Sequence, residues 1–196
     1  MSTLGALKAE IADDLVRGDL TTQIASAITS GIRKFQEHRF YFNETRDATF
    51  STVAAQSIYT GDDLALIPKF VTIDAIYKDF GGSVTELTRV MPPEIETLSA
   101  TVAQQGEPWD WTYFNQSIRF YPIPDAAYSI RIQGHYRLDA PASDGEADNA
   151  WMTEAYELLR CYAKRQLALH VLKDSEMMAN MNAGLGAALS ELQAVS

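Results

Sequence analysis

The residues best suited to catalysis are two carboxylates beside a run of aromatic side chains. Glu107 and Asp110 flank Trp109, and Trp111 follows two residues later. A glycosidase needs two carboxyl groups at a set separation in a cleft, together with aromatic platforms for the sugar rings. This pattern supports one hypothesis, a carbohydrate-binding or glycan-degrading protein that uses Trp109 and Trp111.

The same aromatic run also has a structural interpretation, and this is the one that we favour. Trp109, Trp111 and Tyr113 occupy alternate positions, and Phe114 follows them. Aromatic residues are enriched in strands because they suit a pleated, half-buried surface. Alternation alone therefore explains the run as one face of a small packed sheet.

The remaining reactive side chains do not form a recognisable site. Cys161 and His170 are nine residues apart on one predicted helix, a rise of about 13 Å that is too long for proton transfer. His38, His135 and His170 lie on different elements, and none has a second ligand at metal-binding spacing. We expect no catalytic residue, no metal and no cofactor, and predict that the protein is not an enzyme.

The charge balance weighs against a general affinity for nucleic acid. The chain has 16 basic and 26 acidic residues, a net charge of -10, whereas sequence-independent binding requires Lys and Arg to neutralise phosphates. One segment, RKFQEHRFYF at residues 33–42, mixes aromatic residues with Arg33, Lys34 and Arg39. Nucleic-acid contact is one interpretation. We favour a helix end that docks on the β-rich part, since basic residues suit a helix C-terminus.

The composition indicates a globular protein that works without disulfides or a membrane anchor. The chain is 46% hydrophobic and 21% charged, which is ordinary for a soluble domain. Its one cysteine, Cys161, excludes an internal disulfide framework and suits a reducing compartment. No run reaches the roughly 18 apolar residues of a membrane span, and the N-terminal residues lack the pattern of a secretory signal.

Two helices are predicted before residue 43. The first covers residues 3–17, with Ser2 or Thr3 as N-cap and Gly18 as the stop signal. The second begins near residues 19–22. Their apolar positions recur at spacings of three and four: Leu4, Leu7, Ile11 and Leu15, then Ile24, Ile28, Ile32 and Phe35. The short connection favours an antiparallel pair.

The period then changes to two, which predicts strands. The β-branched and aromatic runs are ATFSTV, QSIYTG, KFVTIDAIYKD, VTELTRV, WDWTYF, SIRFYPIP and AYSIRIQGHYRL. Pro92 or Pro93 ends one strand and opens a short helix. A tight turn is expected at Asn115 and Gln116. In the last run, alternation predicts one buried and one solvated face.

Helices are predicted again after a polar loop at residues 139–149, where Asp148 or Asn149 is the expected N-cap. A helix from Trp151 to Leu172 is predicted to bury Ala155, Leu158, Leu159, Tyr162 and Leu169 by spacing. The final segment, residues 175–194, is a weaker helix because Gly184 and Gly186 each cost about 1 kcal/mol relative to Ala. Its apolar residues form a candidate interface: Met177, Met178, Met181, Leu185, Leu189 and Leu192.

These elements predict an α+β fold in which a helical bundle carries an inserted antiparallel β-module. The expected divisions are residues 1–43 for the first helices, 44–138 for the β-rich domain, and 139–196 for the helices that complete the bundle and form a C-terminal arm. An order of helices, β-module and helices is unusual for an enzyme of this size. It indicates a component of an assembly.

This layout resembles the head-to-tail adaptor (connector) proteins of tailed bacteriophages, especially those of short-tailed phages. The resemblance spans about residues 5–175. It is carried by RFYFNE at 39–44, FSTVAAQSIYTGDD, LIPKFVTIDAIY, the loop before Trp151, ELLRCYAKRQLAL, and the anchors Gly106, Pro108, Trp109, Tyr113, Pro122, Pro124, Tyr128 and Tyr136.

The resemblance implies a structural role without enzymatic activity. It implies a homo-oligomeric ring, expected to be a dodecamer, between the portal protein and a tail nozzle or tail tube protein. Double-stranded DNA passes through the central channel without sequence-specific binding, and the acidic balance suits a surface past which DNA slides. The protein is then made in the host cytoplasm and resides in the virion neck, with no membrane partner.

Two groups of residues are assigned to contacts on this basis. The six apolar residues of the C-terminal segment are the candidate portal or subunit interface. Arg33, Lys34 and Arg39 are candidates for the DNA channel or for contacts between subunits.

Overall fold

The computed structural model describes residues 2–101 and 104–195. The chain divides into two compact units, one made of Met1–Phe42 with Leu138–Ser196 and the other of Asn43–Arg137. The first is helical and the second contains the sheets. The predicted α+β class, with antiparallel sheets inserted between helices, is confirmed.

The α-helices of the described residues are α1 (Leu4–Asp14), α2 (Thr21–Phe35), α3 (Pro92–Thr101), α4 (Ala150–Thr153), α5 (Tyr156–Leu167) and α6 (Ser175–Val195). A π-helical turn, Ala168–Leu172, follows α5, and 3₁₀ turns occur at Tyr41–Asn43 and Ile67–Lys69. All α-helices except α3 belong to the helical unit. The short helix that a proline was predicted to open is α3, which begins at Pro92.

In α1, Leu7 and Ile11 are buried as their spacing indicated, whereas Leu4 and Leu15 are only partly buried, and the helix is shorter than predicted. Thr3 is its N-cap, and the Thr3 hydroxyl accepts a hydrogen bond from the Ala6 backbone N–H. The stop at Gly18 is wrong. The helix ends at Asp14 because Val16 adopts a left-handed conformation with φ 52°. In α2, the predicted stripe of Ile24, Ile28, Ile32 and Phe35 is buried.

The single helix predicted from Trp151 to Leu172 is wrong. Asn149 caps α4 by accepting from the Trp151 backbone N–H, but α4 ends at Thr153 and α5 begins three residues later. The π turn after α5 changes the angular spacing of its residues, since its bonds run from i to i+5. Leu169 is consequently 42% exposed, so its predicted burial is also wrong.

The C-terminal segment forms a full helix in spite of its two glycines. A Cβ on Gly184 would lie 3.1 Å from the Cys161 sulfur, so the glycine allows α6 to approach α5 closely. Ala188 is buried, and Leu185, Leu189 and Leu192 pack against the core of the helical unit. Burial against α5 therefore offsets the weak helix propensity of this segment.

The β-unit has ten strands among the described residues: β1 (Glu44–Ser51), β2 (Ile58–Tyr59), β3 (Phe70–Phe80), β4 (Ser83–Glu86), β5 (Thr88–Arg89), β6 (Gln105–Gly106), β7 (Asp110–Phe114), β8 (Ser117–Tyr121), β9 (Ile123–Pro124) and β10 (Ser129–Tyr136). One sheet has the order β1-β10-β3-β4 and a second the order β2-β8-β7-β5. Strands β6 and β9 form a two-stranded pair.

Turn chemistry and alternation explain much of this topology. Asn115 and Gln116 both have positive φ, the conformation that a two-residue hairpin between β7 and β8 requires. In β10, Ile130 and Ile132 are buried, as the alternation predicted. The register of β10 against β3 shifts after Gln133, and the alternation ends there.

Candidate interaction surface

The described residues contain no group of three or more His, Cys, Asp or Glu side chains that could hold a metal ion. Cys161 is buried, and this burial, followed by its hydrogen bond to Glu157, raises the pKa of the thiol to about 11. The thiol is thus protonated near neutral pH. This agrees with the sequence argument that excluded a dyad with His170.

The aromatic run does not form a sugar platform. Trp111 is 1% exposed, and its indole N–H donates to the Leu87 carbonyl over 3.1 Å. Trp109 is 48% exposed and makes an edge contact with the Tyr121 ring. A platform made by two tryptophans needs an open ring face on each of them, and Trp111 has none. The hypothesis of sugar binding by Trp109 and Trp111 is therefore not supported. Trp111 is a core residue of the β-unit.

The ionisable groups near this run are engaged in structural contacts. Lys78 is buried and forms an ion pair with Glu107, and its ammonium lies 5.9 Å from the centre of the Tyr128 ring. Burial lowers the pKa of Lys78. Burial also raises the pKa of Asp110, with a smaller effect from Glu94. Glu107 is therefore committed to Lys78, and it is not paired with Asp110 as a catalytic carboxylate.

Charged residues in the helical unit connect α1 to α5. Arg160 pairs with Asp14 at 2.6 Å and with Glu10 at 3.2 Å, and Lys164 pairs with Asp14 at 3.0 Å. The hydrogen bond from Arg160 is the main reason that the pKa of Asp14 is lowered, although partial burial opposes it. These four residues join α1 to α5 within the bundle.

Most aromatic side chains of residues 33–42 pack in the helical unit, whereas Tyr41 is 38% exposed. Contacts between neighbouring rings, 5.1 to 6.1 Å between centres, run along Phe35, His38, Phe40, Phe42 and Trp151. Phe40 is fully buried. The segment therefore has an aromatic side that packs and a basic side that faces solvent.

The cations of this segment are exposed. Arg33 and Lys34 form the last turn of α2, and the Lys34 ammonium lies 5.4 Å from the centre of the Tyr162 ring. Arg39 is also exposed. These three candidates for DNA or subunit contact are accessible, and their roles remain predictions.

The candidate interface residues of α6 face mostly inward. Met177, Met178 and Met181 are partly exposed, whereas the three leucines pack on the bundle core. The opposite side of α6 is more exposed. Its residues between 177 and 190 carry no charge: Ala179, Asn180, Ala183, Gly186, Ala187 and Ser190. Glu176 precedes them on the same side.

A groove that the sequence did not reveal lies between α2 and the C-terminal end of α5. Its volume is about 430 Å³, and it is lined by Thr22, Gln23, Ser26, Ala27, Ser30, Gln166, Leu167, His170 and Val171. The lining residues come from two segments that are more than 130 residues apart. The sequence feature that could have indicated the groove is a row of small side chains at positions 22, 26 and 30. Their spacing of four places them on the same face of a helix.

No helix of the described residues is long and apolar enough to cross a membrane. A family model described as SU10 adaptor protein matches residues 2–196. No curated protein matches the chain.

Proposed function

The chain belongs to the SU10 adaptor protein family, and from this membership we propose that it forms a ring that joins the phage portal to the tail and lines the DNA channel. A structural role in a phage follows from the family itself. The dodecameric ring, its portal and tail partners, and the passage of DNA are the proposal. The observation that carries it is the family match over nearly the whole chain.

Features of the helical unit support an assembly role. Several of its charged residues, such as Arg160 and Asp14, form internal pairs, and the α2–α5 groove is open to solvent. The described residues offer no metal cluster, and the one thiol is buried. The molecule thus presents surfaces for other proteins more than a site for chemistry.

The charge balance supports a channel through which DNA slides. A ring of chains that each carry a net charge of -10 repels the phosphate backbone. Repulsion limits adhesion of the genome during passage. Arg33, Lys34 and Arg39 are the exceptions, which we assign to DNA or to a neighbouring subunit. The partly exposed methionines of α6 are assigned to the portal or to another subunit.

Mixing the protein with the portal of the same phage tests the proposal. Electron microscopy and native mass spectrometry should show a closed ring of adaptor subunits on the portal, with twelve-fold symmetry. The portal has to be present, because a binding partner shifts the equilibrium toward the assembled state by mass action. A chain that stays monomeric with its own portal contradicts the proposal.

Charge reversal at Lys34 and Arg39 distinguishes the two roles of these cations. If they face DNA, the ring assembles normally and the particles lose packaged genome more readily. If they face a neighbouring subunit, the amount of ring falls, and any loss of packaged genome follows from the reduced number of rings. If the variant forms as much ring as the unchanged protein and its particles retain the genome equally well, both assignments are contradicted.

A further inference from the structure

We propose that α6 of one copy docks with its outward face in the α2–α5 groove of the next copy, and that Arg33, beyond the groove near the C-terminal end of α2, pairs with Glu176 of the docked helix. This inference rests on the proposed ring and names its subunit contact. The occupant of the groove is thus a second copy of this chain.

The groove is suited to a helix with small side chains. The residues of α2 that line it are Thr22, Gln23, Ser26, Ala27 and Ser30, and none of them is charged. The facing wall, formed by Gln166, Leu167, His170 and Val171, has no carboxylate, Lys or Arg. Two helices approach closely where small residues line the contact, because the backbones are then not held apart.

The outward face of α6 has the matching character. Only Glu176 and Glu191 are charged among its 21 residues, and residues 177–190 contain no charge. Ala179, Ala183, Gly186 and Ser190 recur at spacings of three and four and are exposed or nearly so. A long exposed helix normally carries charged residues on its solvent side. This face is therefore better explained by burial in an assembly.

The two surfaces lie on different sides of α5. Cys161 and Arg165 face α6, since Gly184 approaches the Cys161 sulfur and Arg165 donates to the Asn182 side chain. Gln166 lines the groove, and five residues rotate the direction of a side chain by about 140° around the helix axis. Two unlike surfaces that bind each other make a head-to-tail contact, and such contacts generate rings when the rotation closes.

The charges at the ends of the two surfaces set the direction of docking. Arg33 is exposed, seven residues after Ser26 on the same side of α2, and makes no ion pair within the described ranges. Glu176 is exposed seven residues before Ala183 on the outward side of α6. Seven residues span about 10.5 Å. When Ala183 seats against Ser26 with the helices antiparallel, Arg33 and Glu176 lie at the same level.

Substitution of Gly186 separates assembly from folding. No atom lies within 4 Å of a Cβ at this position, and Arg is a better helix former than Gly, so Gly186→Arg should leave the single chain at least as stable. In the assembly the new side chain enters the contact. We expect the amount of ring on the phage's own portal to fall by at least about tenfold, because interfaces exclude unpaired charges.

Gly145→Arg is the matched control. It makes the same substitution at an exposed glycine of the same unit, also with no atom within 4 Å of its Cβ. It lies in the loop before α4 and belongs to neither surface, so it should assemble like the unchanged protein. Thermal unfolding of both variants verifies that the chains are folded.

A charge exchange tests the pairing. Arg33→Glu and Glu176→Arg should each reduce the amount of ring, and the double variant should restore it, because exchange recreates an opposite-charge pair. If Arg33 contacts DNA in place of Glu176, the double variant gives no rescue.

The outcomes distinguish this inference from the proposed function. If the unchanged protein forms no ring on its portal, both are overturned. If it forms a ring and Gly186→Arg forms as much ring as Gly145→Arg, the docking of α6 is wrong while the adaptor function stands. Loss of ring only with Gly186→Arg, together with rescue by the charge exchange, supports the contact as described.

Discussion

A glycine in β10 shows how tightly the sheet of the β-unit is packed. A Cβ on Gly134 would lie 2.3 Å from the Thr72 carbonyl oxygen and 3.0 Å from the Ile73 Cα, both backbone atoms of the neighbouring strand. The register between β10 and β3 shifts at this residue. A bulge beside a glycine allows two backbones to approach where a side chain would keep them apart.

Replacing this glycine should therefore destabilise the β-unit. We expect Gly134→Ala to lower the free energy of unfolding by about 3 kcal/mol, since backbone atoms of β3 have to move. Gly106→Ala is the control, because its Cβ meets nothing within 4 Å, and it should be neutral or stabilising by about 0.5 kcal/mol. Urea unfolding followed by circular dichroism measures both. Equal stability of the two variants contradicts the close approach.

Trp111 in β7 and Trp109 just before it should contribute very differently to the free energy of unfolding. Trp111→Ala removes a buried indole and leaves the Leu87 carbonyl without its donor, so we expect a loss of about 4 kcal/mol. Trp109→Ala removes a half-exposed ring and should cost less than about 1 kcal/mol. Chemical denaturation measures the difference. A larger loss for Trp109 would mean that the burial of these residues is assigned wrongly.

The contact of α1 with α5 depends on the carboxylate of Asp14, which pairs with the two cations Arg160 and Lys164. Asp14→Asn removes the charge that Arg160 and Lys164 share. We expect a loss of about 1 kcal/mol at neutral pH, a modest value because the carboxylate is partly exposed to water and salt. Urea unfolding at low and at high salt measures it, and the loss should shrink in high salt.

The pH dependence of this effect has a definite sign. The pKa of Asp14 is lowered in the folded chain, so its stabilisation is present above the unfolded value of 3.8 and is lost as the pH falls through the lower folded value. The difference between Asp14→Asn and the unchanged protein should thus be constant near neutral pH, shrink as the pH falls below about 4, and disappear below the folded pKa. A difference that persists in acid contradicts the ionic origin.

Helices and strands were predictable from the sequence wherever the apolar residues followed a single spacing, three to four residues for a helix or two for a strand. The stripe of α2, the hairpin turn at Asn115 and Gln116, and the α+β class all follow from local spacing and turn chemistry. The breaks around α5 did not, because an apolar pattern does not distinguish a continuous helix from one with a π turn. The groove also escaped prediction, since α2 and α5 meet only through tertiary packing, for which one sequence provides no distances.

For the whole molecule, the insertion predicts that the β-unit folds by itself. Its core residues, from Ala48 to Ile132, lie wholly within Asn43–Arg137. Its two ends are neighbours, since Glu44 pairs with His135 across β1 and β10. Residues 43–137 expressed alone should give a β-rich circular dichroism spectrum and a cooperative urea transition. A gradual transition without a plateau would mean that the helices are needed for folding.

The pairing of α1 and α2 with α5 has a consequence for synthesis. Helices α1 and α2 leave the ribosome early, but the wall that buries Ile28 and Ile32 is supplied by α5, more than 100 residues later. The β-unit is complete before that point, since domains fold in the order in which they emerge. Among the described elements, the groove and α6 form last, so with the proposed docking contact an unfinished chain lacks both surfaces and should not join another on a neighbouring ribosome.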